Sequence, residues 1–580
     1  MTDDAYPLWH DATAYRNTLV VAQHHPQASD DNAGTDAAPL YSIQSALERV
    51  QPGQRIRIHA GIYRESLAPI RGGTAADRMI ALESAPGERV VVRGSQPLCG
   101  TWSQPRPWEA GFGHGEAIPV MSQRVWQARL DERLFEPGAN PFAHPNVDDW
   151  EARLMPWMEP VSGRAPFTLR RGLLFQDGQR LTQLHHYGDV PRVPGSFWVA
   201  EDGLSLHVHP LDGKHPDQAS FEVTAQSHLL CPTAIGLEFI RVSGIVFEHC
   251  GNSFLRAGAG AVTTRGGGHW IIEDCTFRQI NSAGLEFGDH PFERDDPHPL
   301  NPSRTWRGSG HTIVRRNRFH HCGTAGMRCL GASEARVLDN LIYDCGWQDA
   351  HFYYECAGIK LLLTRHCLVA NNRIARMTGA CGIWLDFDNR ESRVSNNVIT
   401  DIDSSHGGIF IEASLETNRI DHNVIWGVEG PGIFGGDSSR QIYEHNLIGH
   451  TTDEGISLFC HTDRQVNKQP VACIDNRVRA NLFVEVPRHR ADADRNTFGD
   501  NVYLHQGKAH QENWNAWQAR GFDGDSRFLN GVMRFDPARH TLSWRLDDAA
   551  ATLGPVGPVA LATSHGHTGL APSWLADRHV

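Results

Sequence analysis

The amino-acid sequence predicts an all-β fold, a right-handed parallel β-helix that carries an inserted β-sandwich domain. The prediction depends on two markers that recur with one period. Strand-like segments opened by glycine return at intervals of 24, 26, 24 and 23 residues, at Gly358, Gly382, Gly408, Gly432 and Gly455. The second marker, Asn-x-(Ile/Phe), follows a similar interval at Asn317, Asn340, Asn372, Asn397, Asn423, Asn446 and Asn481. Two independent markers with one period indicate a repeat architecture.

A period of this length is shared by leucine-rich repeats, armadillo-like helix pairs and parallel β-helices. The units contain no 3.6-residue apolar pattern and no Leu-x-x-Leu-x-Leu frame, so the first two architectures are excluded. Short Val/Ile strands with glycine and asparagine at the corners remain, which is typical of a β-helix. We expect the repeated asparagines to form an inward amide ladder from coil to coil.

Breaks in the repeat divide the chain into four parts. We assign residues 1–98 to an N-terminal cap and the first coils, and residues 99–225 to an inserted β-sandwich-like domain. Residues 226–490 form the main β-helix, and residues 491–580 form a last coil, a cap and a tail. An amphipathic stretch at 43–50, followed by a Pro-Gly turn, predicts a helix that covers the open end of the solenoid.

The inserted domain is predicted from alternating strands with tight turns, as at 196–199 and 204–208. Its tryptophan-rich loops have two interpretations that stay open. They wall the ligand cleft, or they pack in the interior of the domain and against the β-helix.

Composition limits the class of partner. The 580 residues include 54 basic and 67 acidic side chains, a net charge of −13, which argues against nucleic acid or an anionic membrane and favours a neutral oligosaccharide. The amino terminus lacks a signal-peptide pattern, and no apolar run has the length of a transmembrane helix. Twelve cysteines without CxxC pairs indicate reduced thiols and a cytoplasmic location. Homo-oligomerisation stays open.

Two neighbouring strand segments, 381–386 and 407–412, end in the acids Asp386 and Glu412. Alternation of period two sends their aliphatic residues to the core and their aromatic and acidic residues to the outer face. If the glycines that open the two segments stack, the carboxyls lie one coil apart, at about 5 Å. That approaches the ~5–5.5 Å of retaining glycosidases and falls short of the ~6.5–9.5 Å of inverting ones.

The surroundings of each acid suggest its role. Lys360, one coil earlier, favours the carboxylate of Asp386, which makes Asp386 the candidate nucleophile. Glu412 lies beside aromatic residues that disfavour charge and raise its pKa, which suits a general acid/base. The candidate substrate-binding residues are Lys360, Trp384, Glu355, His351, Phe410 and Arg328.

Structural explanations stand beside these roles. Taken alone, an outward acid on a β-helix is most often a solvated surface charge, and Trp384 could simply pack beneath the inserted domain. Asp388, two residues beyond Asp386 on the same face, competes with it as nucleophile. We favour Asp386 because it is in register with Glu412.

Segments at 357–360, 382–386, 393–397 and 411–412 carry a family resemblance that extends over most of residues 18–450. They resemble glycoside hydrolase family 120, the β-helix β-xylosidases. The resemblance implies a β-sandwich inserted in the β-helix and cleavage with retention of configuration. It places the nucleophile at Asp386 and the acid/base at Glu412.

The chain departs from the family pattern immediately after each acid. It has Phe387-Asp388 where the family has Trp, and Ala413-Ser414-Leu415-Glu416 where the family has Val-Asn-His-Gly. Because these residues shape the sugar pocket, the resemblance supports the catalytic machinery better than xylose specificity.

We therefore expect a retaining exo-glycosidase, a β-xylosidase that releases xylose from short xylo-oligosaccharides by double displacement. No cofactor is required, and a structural calcium ion stays open. One alternative is a polysaccharide lyase or epimerase, in which Lys360 is the base and Arg328 clamps a substrate carboxylate. The other is a non-catalytic glycan-binding β-helix.

Overall fold

The computed structural model describes residues 5–106, 122–148, 165–254, 259–289, 309–350, 356–492, 495–506, 511–537, 539–554, 557 and 565–569. Within them the chain forms the predicted parallel β-helix, in which successive coils add one strand to each of three long sheets. A separate pair of four-stranded sheets interrupts the early coils.

Hydrogen bonds between neighbouring strands set the order of each long sheet within the described residues. The first sheet has 13 strands: Asn17–Val21, Gln54–Ile58, Ile80–Ser84, Ile240–Ser243, Ile271–Glu273, Ile313–Arg315, Arg336–Leu338, Leu368–Ala370, Arg393–Ser395, Arg419–Asp421, Ile442–Glu444, Arg477–Arg479 and Thr497–Gly499. The second has 15: Gly61–Tyr63, Val90–Arg93, Ile245–Cys250, Thr276–Ile280, Arg318–Cys322, Leu341–Tyr343, Arg373–Thr378, Val398–Asp403, Val424–Glu429, Leu447–Thr451, Leu482–Val484, Val502–His505, Arg527–Asp536, Thr541–Leu546 and His565–Gly569. The third has nine: Val262–Thr263, Leu285–Gly288, Ala325–Leu330, Ala357–Leu362, Cys381–Leu385, Ile409–Glu412, Ile433–Gly436, Glu454–Phe459 and Arg488–Ala491.

The inserted domain consists of two four-stranded sheets. One contains Thr182–Gln183, Ser196–Val199, Ser205–His209 and Trp126–Arg129, and the other contains Ser95–Pro97, Phe221–Thr224, Leu174–Gln176 and Gln179–Arg180. Two short ribbons pair Ser309–Gly310 with Ala332–Ser333 and Gln465–Val466 with Gln469–Pro470. The described α-helices are Ile43–Arg49, Ala165–Thr168 and Gln511–Ala519, and the 3-10 helices are Ser122–Arg124, Glu132–Leu134, Tyr187–Arg192 and Pro216–Gln218.

Stacked aliphatic residues fill the lumen of the β-helix. In the third sheet Ile383 pairs with Ile409, and both are fully buried. The glycines that open these strands stack as well, because a Cβ atom on Gly382 would lie 2.5 Å from the carbonyl oxygen of Gly408. The predicted coil register is therefore confirmed, and the recurring glycine is explained by close backbone approach.

The repeated asparagines form the predicted ladder inside the helix. Asn397 donates from Nδ2 to Oδ1 of Asn423 at 2.9 Å, and Asn423 donates to Asn446 at 3.0 Å. Each side-chain oxygen also accepts the backbone N–H of the preceding member, as Asn423 does from Asn397. The ladder satisfies amides at a buried bend, and its members are Asn317, Asn340, Asn372, Asn397, Asn423, Asn446, Asn481 and Asn501.

The predicted helix at the amino-terminal end of the solenoid is confirmed as Ile43–Arg49. The Oγ of Ser42 caps it by accepting from the backbone N–H of Ser45 at 3.2 Å. Its face with Ile43, Ala46 and Leu47 is buried in the same core as the first coils. The helix thus covers apolar residues that an open coil would expose.

Glu222 joins the inserted domain to the β-helix. It accepts from Arg93 and Arg64, both at 3.0 Å. Phe175 of the insert stacks on His249 of the β-helix with 3.7 Å between ring centroids. These contacts hold one edge of the inserted domain against the early coils of the β-helix. Those coils precede the strands that carry Asp386 and Glu412.

All twelve cysteines are free thiols, and most of them are buried. Within the described residues, the helices are too short and too polar to cross a bilayer.

Candidate active site

Outward residues of the third sheet form two parallel columns, an aromatic one with Trp384 and Phe410 and an acidic one with Asp386 and Glu412. Trp384 pairs with Phe410, and Leu385 pairs with Ile411, so Asp386 and Glu412 leave adjacent strands at the same position. Neighbouring strands lie about 4.8 Å apart, so this register places the two acids on adjacent coils, where the charge of Asp386 acts on Glu412. Both acids are buried, at 5% and 8% exposure, so neither is a solvated surface charge.

Lys360 binds Asp386. Its Nζ lies 2.7 Å from Oδ2 of Asp386, and both side chains are almost fully enclosed. The backbone N–H of Phe387 donates to Oδ1 at 2.6 Å. Burial by itself raises the pKa of Asp386, but the Lys360 charge and these hydrogen bonds outweigh it and hold the pKa below its ordinary value. These surroundings favour the ionised form of Asp386 at neutral pH, which is the form that a nucleophile requires.

Glu412 has the opposite electrostatic surroundings. Burial, followed by the negative charge of Asp386, raises its pKa from 4.5 to about 8, although Arg464 opposes the shift. Oε2 accepts a hydrogen bond from Nε1 of Trp384 at 3.1 Å, and Oε1 is paired with Arg464. These surroundings favour the protonated form of Glu412 at neutral pH, which is the form that a general acid requires.

A segment between the last two strands of the third sheet covers the acids, and sequence analysis missed it. It carries Arg464 onto Glu412 and His461 to 4.0 Å from the same carboxyl oxygen. Asp437, in the turn after the next strand, holds this segment by accepting from the backbone N–H of His461 at 2.8 Å. The available signal was the long interruption of the repeat after Phe459, but its length alone did not show where the segment folds.

The aromatic residues form a stack beneath the acids. The ring of Phe410 lies between His406, at 4.9 Å, and Phe434, at 4.6 Å, with both pairs within 5° of parallel. Phe410 therefore packs inside the wall, and the structure assigns it no free ring face for a sugar. Trp384 lies under the Lys360 ammonium, 4.3 Å from its ring centroid, and orients Glu412 in addition to any contact with ligand.

Of the remaining predicted binding residues, Arg328 does not lie beside the acids. Arg328 pairs with Glu286 and donates to the carbonyl of Phe254 at 2.5 Å, two strands away from Asp386. His351 and Glu355 lie outside the described residues.

Asp388, the rival nucleophile, is occupied by basic and amide donors. Arg390 binds its two oxygens at 2.9 and 3.0 Å, and Asn467 donates to Oδ2 at 3.2 Å. Asp388 lies in a turn with φ of 54° between the strands Cys381–Leu385 and Arg393–Ser395. This geometry favours Asp386 as the nucleophile.

A second concave surface lies on the second sheet and has a volume of about 650 Å³. Of its described acids, Asp344 is bound by Arg376 at 2.7 Å, whereas Asp401, Asp403 and Glu429 are exposed. The acid pair of the third sheet differs because it is buried and its members have opposite pKa shifts, which is typical of catalytic sites. Among the described residues no cluster of His, Cys, Asp or Glu is arranged to hold a metal ion.

Comparisons with known proteins support the fold. The family model for a right handed beta helix region matches residues 305–448, and no curated protein matches significantly. The solved structure of XylC with xylose is similar over 95% of this chain and 99% of that chain, with 18% identity and a TM-score of 0.71. A structure described as a glycoside hydrolase is similar over 87% of this chain and 99% of its own, with 14% identity and a TM-score of 0.46. The PL6 family alginate lyase AlyGC is similar over 95% of this chain and 57% of its own, with 12% identity and a TM-score of 0.44. The family model and the likeness to XylC agree with the observed β-helix.

Proposed function

We propose that this protein is a retaining exo-glycosidase in which Asp386 is the nucleophile and Glu412 the acid/base. The proposal depends on one observation. Two buried carboxyls leave adjacent strands in register, and their surroundings lower the pKa of Asp386 and raise the pKa of Glu412. The register supports a separation of about one strand spacing, roughly 5 Å, which is the spacing that retaining glycosidases use.

The reaction takes place in two displacements. Asp386 attacks the anomeric carbon while Glu412 gives its proton to the glycosidic oxygen, which releases the leaving group as an alcohol. Glu412, now a carboxylate, takes a proton from water as that water attacks the same carbon. The glycosyl–Asp386 ester breaks, the sugar leaves with retained configuration, and Glu412 is protonated again.

Lys360 and Trp384 prepare the two acids for these steps. The Lys360 ammonium stabilises the carboxylate of Asp386 before attack and again when the ester breaks. Trp384 holds Oε2 of Glu412 through Nε1, which leaves Oε1 as the oxygen that gives the proton. Both groups are enclosed, so they need little reorganisation during the reaction.

We propose xylose as the sugar that is released. The family resemblance supports this choice, as does the likeness to XylC, a structure that contains xylose. The residues that depart from the family pattern lie beside the acids and pack together with the covering segment in one apolar cluster that includes Phe387, Ala413, Leu415 and Val466. We expect this cluster to influence which sugar and linkage the pocket accepts.

The test is nucleophile rescue on nitrophenyl glycosides. Asp386→Gly should abolish turnover of the wild-type substrate, and azide should restore it and yield a glycosyl azide of inverted configuration relative to the substrate. Asp388→Gly is the matched variant, because Asp388 is the competing acid of the same strand end. Rescue of Asp388→Gly instead of Asp386→Gly would move the nucleophile, and ultraviolet-absorbing products from a uronate polymer would indicate a lyase.

A further inference from the structure

Both carboxyl oxygens of Glu412 are occupied by groups that can only donate. Oε2 accepts from Nε1 of Trp384 at 3.1 Å, and Oε1 is in contact with Nη2 of Arg464. An indole N–H and a guanidinium have no acceptor atoms. A Glu412 carboxylate is therefore fully satisfied in this arrangement.

A protonated Glu412 holds Arg464 less firmly than a carboxylate does. If Oε2 keeps the hydrogen bond from Trp384 and the proton lies on Oε1, the hydroxyl oxygen carries no full negative charge and its O–H must point away from Arg464. A hydrogen bond from a guanidinium to such an oxygen is weaker than one to a carboxylate. The contact between Arg464 and Oε1 is therefore stronger in the carboxylate state of the cycle than in the protonated state.

Arg464 has a second partner within reach. The same Nη2 lies 3.2 Å from Oδ2 of Asp437, which is fully buried and anchored by backbone N–H groups of His461 and Thr462. The Arg464 side chain is 35% exposed, which leaves room for movement, and its Nε remains bound to Oγ1 of Thr462 at 3.0 Å. Asp437 can hold the guanidinium while Glu412 is protonated.

We propose that Arg464 is a positioning residue that binds Glu412 when Glu412 is a carboxylate and shifts to Asp437 when Glu412 is protonated. The inference rests on the proposed function and adds a device for its second step. In the hydrolysis of the glycosyl enzyme, Arg464 would stabilise and orient the carboxylate that removes a proton from water. In the first step the guanidinium would leave Oε1 free to donate.

Several other groups influence the protonation of Glu412. Within the described residues, the titratable or charged side chains facing it are Asp386 and Lys360 from the preceding strands, Cys381 from the same sheet, Asp437 from the following turn, and His461 and Arg464 from the covering segment. Of these, Arg464 directly contacts an oxygen of Glu412. Its removal should therefore change Glu412 without breaking the Lys360–Asp386 pair.

The test compares two variants that should act in opposite directions. Arg464→Met removes the group that stabilises the carboxylate, so the basic limb of kcat/KM should move to higher pH. Its kcat on a dinitrophenyl glycoside, for which hydrolysis of the glycosyl enzyme limits turnover, should fall about tenfold or more. Arg464→Lys should restore part of this loss. Asp437→Asn removes the alternative carboxylate, so Arg464 stays on Glu412 and the basic limb should move to lower pH.

Arg376→Met is the control, because Arg376 also pairs with an aspartate, at a distant and more exposed place on the β-helix. This variant should have the same pH dependence of kcat/KM as the wild type. An unmoved basic limb in both Arg464→Met and Asp437→Asn, or shifts in the same direction, would overturn the inference. Infrared difference spectra of the carboxyl stretch, with Glu412→Gln as the blank, report the same titration without turnover. If the wild-type protein cleaves no glycoside, the proposed function is wrong. The infrared spectra would then still show whether Arg464 and Asp437 change the pKa of Glu412.

Discussion

The proton on Glu412 should make the fold weaken as pH rises. The pKa of this carboxyl is about 8 in the folded protein and 4.5 when unperturbed. Between these values the folded state keeps a proton that the unfolded state has lost. The free energy of unfolding therefore decreases with pH at about 1.4 kcal/mol per unit, so the contribution is complete below pH ~4.5 and lost above pH ~8. The total is about 5 kcal/mol.

Glu412→Gln isolates this contribution. The amide has nearly the same shape as the protonated carboxyl, can still accept from Nε1 of Trp384 and does not ionise. Relative to the wild type, the variant should gain about 4 kcal/mol in the free energy of unfolding between pH ~5 and pH ~8. Other titrating groups are common to both proteins, so their effects cancel in this difference.

Urea unfolding of both proteins at about pH 5, 6.5 and 8, followed by tryptophan fluorescence and circular dichroism, measures the difference. The slopes with urea should agree between the two proteins, which checks that unfolding exposes the same surface. A stability difference that is constant with pH would refute the assignment of a raised pKa to Glu412. The opposite trend would indicate that Glu412 is ionised in the folded protein at neutral pH.

Two further substitutions test the partners of the acids. Lys360→Met leaves Asp386 buried without its cation, so we expect the free energy of unfolding to fall by about 3–5 kcal/mol at neutral pH. Arg376→Met removes the cation of an exposed pair and should cost less than about 1 kcal/mol. Equal losses for the two variants in urea unfolding would contradict this expectation. Trp384→Phe removes the N–H that stabilises the Glu412 carboxylate, so the basic limb of kcat/KM should move to higher pH and kcat should fall about tenfold; an unchanged pH profile would show that the Nε1 contact has no catalytic role.

The register of the acid pair was predictable because local rules leave no alternative. Alternation of period two puts Asp386 and Glu412 on the outer face, and a strand slip by one residue would turn them into the core. Gly382 further restricts the stacking, since any side chain there would collide with the carbonyl of Gly408. The asparagine ladder adds a third constraint from residues such as Asn397 and Asn423.

The contact between Arg464 and Glu412 could not be predicted in the same way. Arg464 lies in an interruption of the repeat, where no period indicates which coil a residue approaches. Its position depends on tertiary contacts, among them the burial of Val466 with Leu415 and the anchoring of the segment by Asp437. For the same reason the low exposure of the acids was not apparent, because the strands alone predict an open outer face.

The contrast between the two acids arises from side chains and not from the backbone. Asp386 and Glu412 occupy equivalent positions on adjacent strands, so their backbone surroundings are nearly the same. The preceding coil places a Lys360 ammonium against Asp386, whereas the coil of Asp386 places the indole of Trp384 against Glu412. The positive charge of Lys360 stabilises the carboxylate of Asp386, and the negative charge of Asp386 then favours the protonated form of Glu412. A single strand register, with a different neighbouring side chain on each coil, is thus sufficient to give two adjacent acids the opposite properties of a nucleophile and a proton donor.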